Sequence, residues 1–392
     1  MKSLKMKTST IAKDINKAIK SVIRKKGIVP LHEPVFKKEE FKLVNNCLKT
    51  TMVSTSGKYV NEFENKIKKF TKTKYAVAVT SGTTGLYLSL KLLNINYKTE
   101  VLVPALTFVA TANAVAHCGG IPHFVDVHKD TYGIDASKLR KYLKSNTVIK
   151  NNQCINNKTN RVIKAIIPVH VFGHMTEMDG IISIAKEFKL SIVEDATEAL
   201  GSYYKNKHAG TFGKFGVLSF NGNKIITTGG GGMILTNNKR LAIRAKHLST
   251  TAKKSHKYKY IHDEVGYNFR LPNINAALGI AQINRISGIL KTKRNLYLRY
   301  KKSFSKIPFV KIKDQPENSK SNFWLNTIYL DKKVFSQRNK IIEYLIRSGI
   351  CARPAWELLP DLKPFRNNPK MDLKNSKEII RSIINIPSSY NL

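Results

Sequence analysis

One lysine, Lys224, lies between two apolar stretches whose residues are typical of short buried strands. Residues 216–220 precede it, a polar turn presents it, and residues 233–236 follow a run of four glycines. Desolvation between buried strands favours a neutral lysine amine, and a neutral amine is a nucleophile that can form a Schiff base with a carbonyl. A surface lysine in a hairpin loop is the simpler alternative. The chemical interpretation therefore depends on what the rest of the chain supplies.

A turn suited to binding an anion occurs earlier in the chain. Residues 75–79 predict a buried strand, and the hydroxyl residues Ser81, Thr83 and Thr84 lead from it into a predicted helix over residues 86–93. Backbone N–H groups at such a helix start point at an anion, and the hydroxyls can add hydrogen bonds. The spacing differs from that of a Walker loop. Serine and threonine also cap many helices that bind nothing, so the turn alone indicates little.

Strands and helices alternate along the middle of the chain. The predicted strands are residues 75–79, 101–104, 121–127, 162–169 and 190–193, and the predicted helices between them are residues 86–93, 107–117, 135–143 and 178–188. Repeated β–α units predict a mostly parallel sheet covered by helices, with ligands beyond the carboxyl ends of its strands. Asp195 follows such a strand end, where an acid can also be only a helix cap. The Asn-rich residues 145–160 predict a loop.

The net charge of +42 comes from 68 Lys+Arg against 26 Asp+Glu in 392 residues. One explanation is an anionic partner such as nucleic acid, a membrane surface or a phosphorylated substrate. The other is biased composition, which we favour because the lysines are scattered and no zinc-finger or RNP-type motif accompanies them. We therefore expect no nucleic-acid partner, although the positive field would attract an anionic substrate.

Composition and cysteine spacing indicate a globular protein of the cytoplasm. Apolar residues make up 42% of the chain, and no apolar run approaches the roughly 20 residues of a membrane helix. The four cysteines show no metal-type spacing, and His170 and His174 lie in a glycine-containing loop, so no metal site is expected. The N-terminus lacks the apolar core of a secretory signal. We expect reduced thiols, no membrane insertion and a cytoplasmic location.

Three segments are predicted along the chain. Residues 1–27 predict a basic N-terminal helix or arm, in which isoleucines at positions 11, 15, 19 and 23 share one face. A membrane-surface helix is one alternative for this segment, and a docking helix or loosely held arm is the one we favour. Residues 28–262 form the predicted large domain, and residues 263–392 form a smaller α+β C-terminal domain.

An anion-binding turn, a strand-end carboxylate and a lysine between strands are together what one cofactor requires. Pyridoxal 5′-phosphate binds a helix N-terminus through its phosphate, pairs its ring nitrogen with a carboxylate and condenses its aldehyde with a lysine. An aromatic side chain commonly covers the ring, and Phe108 at the start of a predicted helix is suitably placed. We therefore predict a pyridoxal-phosphate site built on residues 81–84, Asp195 and Lys224.

The chain resembles the DegT/StrS-type sugar-nucleotide aminotransferases from about residue 28 to its C-terminus. The matching stretches are TSGTTGLYLSL (80–90), VPALTFVATANAV (103–115), VEDATEALGS (193–202), GTFGKFGVLSFNGNKIITTGGGGMILTN (210–237) and GYNFRLPNINAALG (266–279). The resemblance implies the fold-type I architecture of pyridoxal-phosphate-dependent transferases. In that α/β fold, a large domain with a mostly parallel mixed sheet covered by helices is followed by a smaller α+β C-terminal domain.

The resemblance assigns roles around the cofactor ring. Lys224 matches the catalytic Schiff-base lysine, and Asp195 matches the catalytic partner of the pyridine nitrogen. Glu198 matches a position near the ring hydroxyl, and Phe108 matches the stacking aromatic residue. From the residues alone, Glu198 could equally be a capping group and Phe108 an ordinary core residue.

The resemblance also implies phosphate contacts and a second subunit. Thr83, Thr84 and Ser219 match residues that contact the phosphate, although Ser219 could equally be a core residue. Asn268 and Arg270 match residues that the family supplies from a neighbouring subunit to the phosphate end of the site. The resemblance therefore implies a homodimer with shared active sites.

The activity implied is transfer of an amino group from L-glutamate to the 4-keto carbon of a nucleotide-linked 4-keto-6-deoxy sugar. The stretches SFNGNK (219–224), HDEVGYNFRLPN (262–273) and RPAW (353–356) are most similar to the branch that makes 4-amino-4,6-dideoxy sugars for legionaminic-type nonulosonic acids. A UDP-linked 2-acetamido sugar is the expected substrate, and Arg353 is a candidate contact for the donor carboxylate. Trp324 and Trp356 are as suitable for the core as for substrate contact.

Three alternatives stay open on the sequence. Another enzyme of the same family could act at a different keto position or on a GDP sugar. A sugar 3-dehydratase is less suitable, because that branch lacks the lysine that is present here as Lys224. From a different class, the chain could be a non-catalytic protein that binds anions or nucleic acid through its positive charge.

Overall fold

The protein is described by a computed structural model that covers residues 2–25, 27–55 and 57–392. The helices of these residues are α1 (Lys2–Val22), α2 (Lys38–Lys49), α3 (Tyr59–Thr71), α4 (Gly82–Leu92), α5 (Ala110–His117), α6 (Ala136–Asn146), α7 (Met178–Glu187), α8 (Lys239–Ser249), α9 (Asn273–Asn284), α10 (Ile286–Phe304), α11 (Arg338–Arg347) and α12 (Lys374–Ser382). Short 3-10 helices span Val171–Gly173, Lys332–Gln337, Leu359–Asp361 and Lys363–Phe365. Every helix in the described ranges is too short or too polar to cross a bilayer.

The strands belong to one large sheet and three smaller ones. They are β1 (Tyr75–Val79), β2 (Thr99–Pro104), β3 (Ile121–Val125), β4 (Thr147–Lys150), β5 (Gln153–Asn156), β6 (Val162–Ile166), β7 (Ser191–Asp195), β8 (Tyr203–Tyr204), β9 (Lys207–His208), β10 (Phe215–Ser219), β11 (Gly232–Thr236), β12 (Lys253–Lys254), β13 (Ile261–His262), β14 (Val310–Ile312), β15 (Ser319–Lys320), β16 (Asn326–Leu330), β17 (Arg353–Pro354) and β18 (Ile383–Ile386).

The large sheet has the strand order β1-β11-β10-β7-β6-β2-β3. Strands β3, β2, β6, β7 and β10 pair in parallel, whereas β11 is antiparallel to both of its neighbours. Its strands are almost wholly buried, as expected for a sheet with helices on both faces. The sheet confirms the predicted α/β class. The carboxyl ends of β1, β2, β7 and β10 all lie at one edge, which is where the predicted site residues begin.

A glycine lets α4 pack closely on this sheet. A Cβ atom at Gly85 would lie 2.8 Å from Cγ1 of Val217, a distance that real side chains do not tolerate. Leu86, Leu88 and Leu90 on the same helix are fully buried against the sheet. The close packing fixes the start of α4, and therefore the turn at Ser81 that caps it, relative to the end of β10.

A second core lies in the C-terminal part of the chain. Its sheet has the order β14-β16-β18-β17, with antiparallel pairing throughout. Helix α1 packs against α10 and α11, and its isoleucines at positions 11, 15 and 19 are buried in this core together with Ile23, which directly follows the helix. Residues 2–22 of the segment predicted as a docking helix or arm therefore form a helix, and its buried residues from Ile11 onward pack in this core. The division of the chain at residues 28 and 263 stays a prediction.

The Asn-rich residues 145–160, predicted as a loop, instead contain a β-hairpin. Strands β4 and β5 pair antiparallel, and β5 continues onto β6 at the sheet. The turn between them is Asn151-Asn152, whose φ angles are +50° and +59°. Asparagine tolerates this left-handed region, and two such residues make the type of turn that suits a two-residue hairpin. The high polarity of the stretch concealed the pairing.

Candidate active site

A cavity of about 330 Å³ opens at the carboxyl edge of the large sheet. Its walls come from the turn before α4, the loop before α5, the segment after β7, the turn after β10 and two tryptophans from the C-terminal part. Both Lys224 and Asp195 line it, so the two residues lie on the same side of the sheet with space between them. Cavities of this size hold small molecules and cofactors.

Lys224 is presented by the turn that follows β10. Its backbone N–H donates to the carbonyl of Asn221 at 3.0 Å, and Phe220 at the start of the turn pairs with Gly231 at 2.9 Å. The side chain is 14% exposed, and its Nζ lies 3.3 Å from Oε1 of Glu198. The same Nζ lies 3.8 Å from the centre of the Trp324 ring. The amine is thus held between a carboxylate and an aromatic face at the cavity wall.

Glu198 is buried beneath this amine. Its Oε2 accepts the backbone N–H of Phe172 at 2.8 Å, while Oε1 faces Lys224. Burial raises the pKa of the Glu198 carboxyl, and the positive charge of Lys224 only partly opposes that effect. Phe172 has a φ of 56°, a backbone conformation that costs about 1–3 kcal/mol for such a residue. The strained residue aims its N–H at Glu198, so the strain serves the site.

Asp195 ends β7 with both carboxylate oxygens engaged. Thr111 donates its hydroxyl to Oδ2 at 2.7 Å, and Thr197 donates its hydroxyl to Oδ1 at 2.7 Å and its backbone N–H at 3.2 Å. Thr107 is hydrogen bonded in turn to Thr111 at 3.1 Å. These contacts set the orientation of the carboxylate toward the cavity. The sequence interpretation missed Thr111, whose only signal was its place beside a neighbouring strand end.

The predicted anion-binding turn is present at the start of α4. Ser81 caps the helix by accepting the N–H of Thr84 at 3.1 Å, and its own N–H donates to the Thr84 hydroxyl at 3.0 Å. Ser81, Thr83 and Ser219 line the cavity, whereas Thr84 turns its hydroxyl back to the carbonyl of Ser81 at 2.8 Å. A Cβ at Gly232 would lie 2.4 Å from that carbonyl, so the turn requires glycine there. The direct phosphate contact predicted for Thr84 stays a prediction.

Two aromatic side chains close the cavity from the other side. Phe108 lines it and is 52% exposed, because α5 begins only at Ala110 and leaves Phe108 in the preceding loop. Its ring lies 6.1 Å from that of Trp356, which also packs 5.0 Å from Phe172. Phe108 is therefore free to cover a planar ligand. The resulting site combines a helix start, a carboxylate, an amine and an aromatic face, which together fit pyridoxal 5′-phosphate.

Asn268 and Arg270 do not reach this cavity within one chain. Asn268 is exposed, and Arg270 donates from Nε to its side-chain oxygen at 3.3 Å. The residue between them, Phe269, accepts the N–H of Thr80 at 3.0 Å, so the segment runs directly behind the Ser81 turn. Both polar side chains therefore stand at the surface next to the site, in a place from which they can serve a neighbouring molecule.

Trp324 is a site residue whose role the sequence left undecided. Besides facing Lys224, it donates its indole N–H to the carbonyl of Asn223 at 2.6 Å. It therefore contacts both the amine and the peptide that carries it. The nearest signal in the sequence was the pair of tryptophans in FWLN and RPAW, since these are the two tryptophans of the chain.

A cluster of metal-ligand types lies outside the cavity. The ligand atoms of His247, Asp263 and Glu264 lie within 4.8 Å of one another at the surface. His247 is paired with Asp263 at 2.7 Å, and Arg244 forms an ion pair with Glu264. Because a guanidinium already occupies one carboxylate of the cluster, we assign no metal to it.

Comparison with known proteins shows the family of the chain. A sequence model of the DegT/DnrJ/EryC1/StrS aminotransferase family matches residues 34–392. GDP-perosamine synthase of Escherichia coli O157:H7 is 36% identical over 328 residues, which cover 84% of each chain. The UDP-4-amino-4,6-dideoxy-N-acetyl-beta-L-altrosamine transaminase of Campylobacter jejuni is 34% identical over 340 residues, 86% of each chain.

Solved structures give the same assignment. PseC of Helicobacter pylori, an aminotransferase involved in the biosynthesis of pseudoaminic acid, superposes with a TM-score of 0.83 at 26% identity, over 93% of this chain and 95% of that one. The pyridoxal-phosphate form of the putative sugar aminotransferase Spr1654 from Streptococcus pneumoniae shares the fold, with a TM-score of 0.82 at 24% identity over 92% and 93% of the chains. The chain therefore belongs to the DegT/DnrJ/EryC1/StrS family and is a pyridoxal-phosphate-dependent sugar-nucleotide aminotransferase.

Proposed function

We propose that the protein moves an amino group from L-glutamate to the 4-keto carbon of a nucleotide-linked 4-keto-6-deoxy sugar. The product is a 4-amino-4,6-dideoxy sugar for a legionaminic-type nonulosonic acid or another surface glycan. The observation that carries the proposal is the common cavity of Lys224 and Asp195, with a capped helix start at the same edge of the sheet. A reacting amine, a ring-nitrogen partner and an anion site are thereby available together.

The chain's own residues account for the proton movements. When bound, pyridoxal phosphate supplies an aldehyde carbon and a ring that withdraws electrons. Lys224 is the proposed acid–base group. Its Nζ would take the proton from the α-carbon of glutamate in the donor half-reaction and would give a proton to C4 of the sugar in the acceptor half-reaction. Asp195, fixed by Thr111 and Thr197, holds the ring-nitrogen proton at its carboxylate. Glu198, buried and protonated more readily than usual, stays beside the Lys224 amine as its hydrogen-bond partner.

The proposed phosphate site consists of the Ser81 turn with the hydroxyls of Thr83 and Ser219. Thr84 supports that turn from below through its capping hydrogen bonds. Phe108 covers the ring face, and the cavity between it and Trp356 receives the sugar. The nucleotide of the proposed substrate would extend out of the cavity, where the protein's positive charge attracts its diphosphate.

A UDP sugar is our preferred substrate, and a GDP sugar is the alternative. The name of the Campylobacter relative specifies a UDP-linked 4-amino-4,6-dideoxy sugar, and that of the E. coli relative specifies GDP-perosamine. The two relatives are almost equally similar to this chain, so overall identity does not choose between them. The UDP choice, the 2-acetamido group and the legionaminic-type product depend on the resemblance of SFNGNK and HDEVGYNFRLPN.

We also propose a homodimer in which Asn268 and Arg270 of one subunit complete the phosphate end of the partner's site. The exposed position of Asn268, next to the turn but outside its own cavity, supports this arrangement. A cytoplasmic location remains part of the proposal, as nucleotide sugars and glutamate are the expected substrates.

The decisive experiment incubates the protein with pyridoxal phosphate, glutamate and a panel of UDP- and GDP-linked 4-keto sugars, with products identified by mass spectrometry. We expect an amino sugar from a UDP-linked 4-keto-6-deoxy substrate and yellow protein that bleaches with glutamate. Lys224→Arg is expected to lose turnover by about 100-fold to 10,000-fold, the contribution of a positioned acid–base group. The exposed Lys239→Arg is the matched control and should retain activity. Normal turnover of Lys224→Arg, or colourless protein that binds DNA in a salt-sensitive way, would refute the proposal.

A further inference from the structure

A second lysine is buried beneath the cavity. Lys293 on α10 is fully buried, and its Nζ contacts Nε2 of His32 at 3.0 Å, the carbonyl of Trp324 at 3.2 Å and the carbonyl of Ser388 at 2.5 Å. Within the described ranges it forms no ion pair with a carboxylate. Burial lowers the pKa of Lys293 well below its usual range. Burying the Lys293 amine without an acidic partner costs folding free energy, so its three contacts require an explanation.

Trp324 connects this amine to the catalytic one. Its main-chain carbonyl accepts from Lys293, and its main-chain N–H donates to the side chain of Asn322 at 2.8 Å. Its indole N–H holds the carbonyl of Asn223 at 2.6 Å, and its ring faces Nζ of Lys224 at 3.8 Å. One tryptophan thus has Lys293 behind its backbone and Lys224 in front of its ring. A shift of that backbone would move both the indole and the peptide that carries Lys224.

His32 completes the support from the N-terminal side. Its Nδ1 is buried without a hydrogen-bond partner in the described residues. Burial and the charges of Lys293 and Lys224 lower the pKa of His32 well below its usual range. The Asn223 backbone nevertheless has a smaller, raising effect on the pKa of His32. The imidazole is in direct contact with Lys293. It is held there by the neighbouring Leu31, whose carbonyl accepts the N–H of Ser388 at 2.7 Å.

We propose that Lys293, together with His32, is a positioning residue for Lys224. The pair holds the backbone of Trp324 so that the indole fixes the peptide before Lys224 and keeps the Lys224 amine at its place in the cavity. Neither residue lines the cavity, so the effect passes through Trp324. The inference rests on the proposed role of Lys224 as the amine that reacts with the cofactor aldehyde.

The first test uses protein without cofactor. A Trp356→Phe background leaves Trp324 as the remaining tryptophan of the chain, so its emission reports the indole that faces Lys224. We expect Lys224→Met to change this emission when Lys293 is present and to leave it nearly unchanged when Lys293→Met is combined with it. Lys291→Met, an exposed lysine on the same helix, is the matched control and should preserve the effect of Lys224→Met.

The second test measures how fast pyridoxal phosphate and borohydride label Lys224, with the labelled peptide identified by mass spectrometry. Lys293→Met and His32→Leu are expected to slow labelling by about tenfold or more, since a misplacement of one ångström can cost ~100-fold. His32→Gln supplies a side-chain amide that can hydrogen bond to Lys293 in place of the imidazole and should recover most of the rate. Thermal unfolding and circular dichroism identify variants that fail to fold. If Lys293→Met fails to fold, the comparison of His32→Leu with His32→Gln decides.

The outcomes separate this inference from the proposed function. Folded Lys293→Met and His32→Leu proteins that match Lys291→Met in emission and labelling would overturn the positioning role and leave the proposed function intact. Failure of the unaltered protein to be labelled at Lys224 would instead refute the proposed function. Slower labelling together with a lost response of Trp324 would support the positioning role.

Discussion

Nζ of Lys224 lies 3.3 Å from Oε1 of Glu198, in a pair whose carboxyl member is almost completely buried. Two effects compete at Glu198, since burial disfavours the carboxylate and the lysine charge favours it. Burial is the larger of the two, and it raises the pKa of Glu198 above the ordinary value of 4.5. Ionising Glu198 in the folded protein therefore lowers the free energy of unfolding, and this loss grows as pH rises.

Replacing Glu198 by glutamine should change how stability depends on pH. Because the folded-state pKa is raised, the stability supplied by the protonated carboxyl is present below 4.5 and is lost as pH rises through the raised value. Glu198→Gln lacks this loss and keeps an oxygen for the N–H of Phe172. Urea unfolding in steps from pH 4.5 upward should show the variant gaining stability relative to the original protein. The exposed Glu343→Gln is the control, and a variant that loses relative stability with rising pH would contradict the prediction.

The burial of His208 predicts a loss of folding stability as pH falls, which is opposite in sign to the effect of Glu198. Its Nε2 accepts the N–H of Gly201 at 2.8 Å and cannot do so once protonated. Burial lowers the pKa of His208 from 6.5 to about 4, so stability is present above pH 6.5 and is lost as pH falls toward about 4. Urea titrations over this window should show a decline of about 3 kcal/mol from this group, on ~1.4 kcal/mol per unit of pKa shift. His208→Gln should flatten the decline and the exposed His128→Gln should not, while equal slopes in all three would count against it.

Truncation of one isoleucine on α1 tests whether the N-terminal helix is part of the fold. Ile19 is fully buried in the C-terminal core, and the neighbouring carbonyl of Ala18 accepts from Ser303 on α10 at 3.0 Å. Ile19→Ala should lower the free energy of unfolding by about 2–5 kcal/mol, as for other buried large-to-small changes. The exposed Lys17→Ala on the same helix should change it little. A similar effect of the two substitutions would show that the helix is not packed in solution.

Mixing two inactive variants tests the shared site. If Arg270 serves the partner's cavity, Lys224→Ala and Arg270→Ala subunits combine into heterodimers with one intact site each. Equal mixing should then restore about a quarter of the original activity, because half the dimers are mixed and half their sites are intact. Each variant refolded alone is the control. Lack of recovery in mixtures that are shown to exchange subunits would place Arg270 in its own subunit's chemistry.

Much of the architecture could be predicted because it depends on local patterns. Apolar runs at 75–79, 190–193 and 216–220 correspond to β1, β7 and β10, and parallel pairing brings their carboxyl ends to one edge. Asp195 and Lys224 could be placed together for that reason, since Asp195 ends β7 and Lys224 lies in the turn that follows β10. The local signal was misleading where polar side chains predicted a loop although the backbone forms a hairpin, as in the hairpin turned by Asn151 and Asn152.

The unpredicted parts of the site depend on contacts between distant segments. Thr111 reaches Asp195 from the start of α5, 84 positions earlier, and Trp324 reaches Asn223 from 101 positions later. Neither contact can be read from the sequence pattern. A hydroxyl at a helix start is explained by capping, and a tryptophan in an apolar run is explained by core packing. Lys293 had even less signal, as one lysine among many in a basic helix. Only the folded arrangement distinguishes it from its exposed neighbours.

The contacts of Lys293 join segments from near both ends of the described chain, His32 on one side and Ser388 on the other. During translation the large sheet can form as soon as β11 has left the ribosome, yet the support under Trp324 closes only when residue 388 has emerged from the exit tunnel. In a nascent chain, Lys224 would therefore be in its folded turn before the contacts of Lys293 that we propose to align it have formed. On the proposed positioning role, cofactor capture at full rate requires the segment around Ser388 as well as the large sheet.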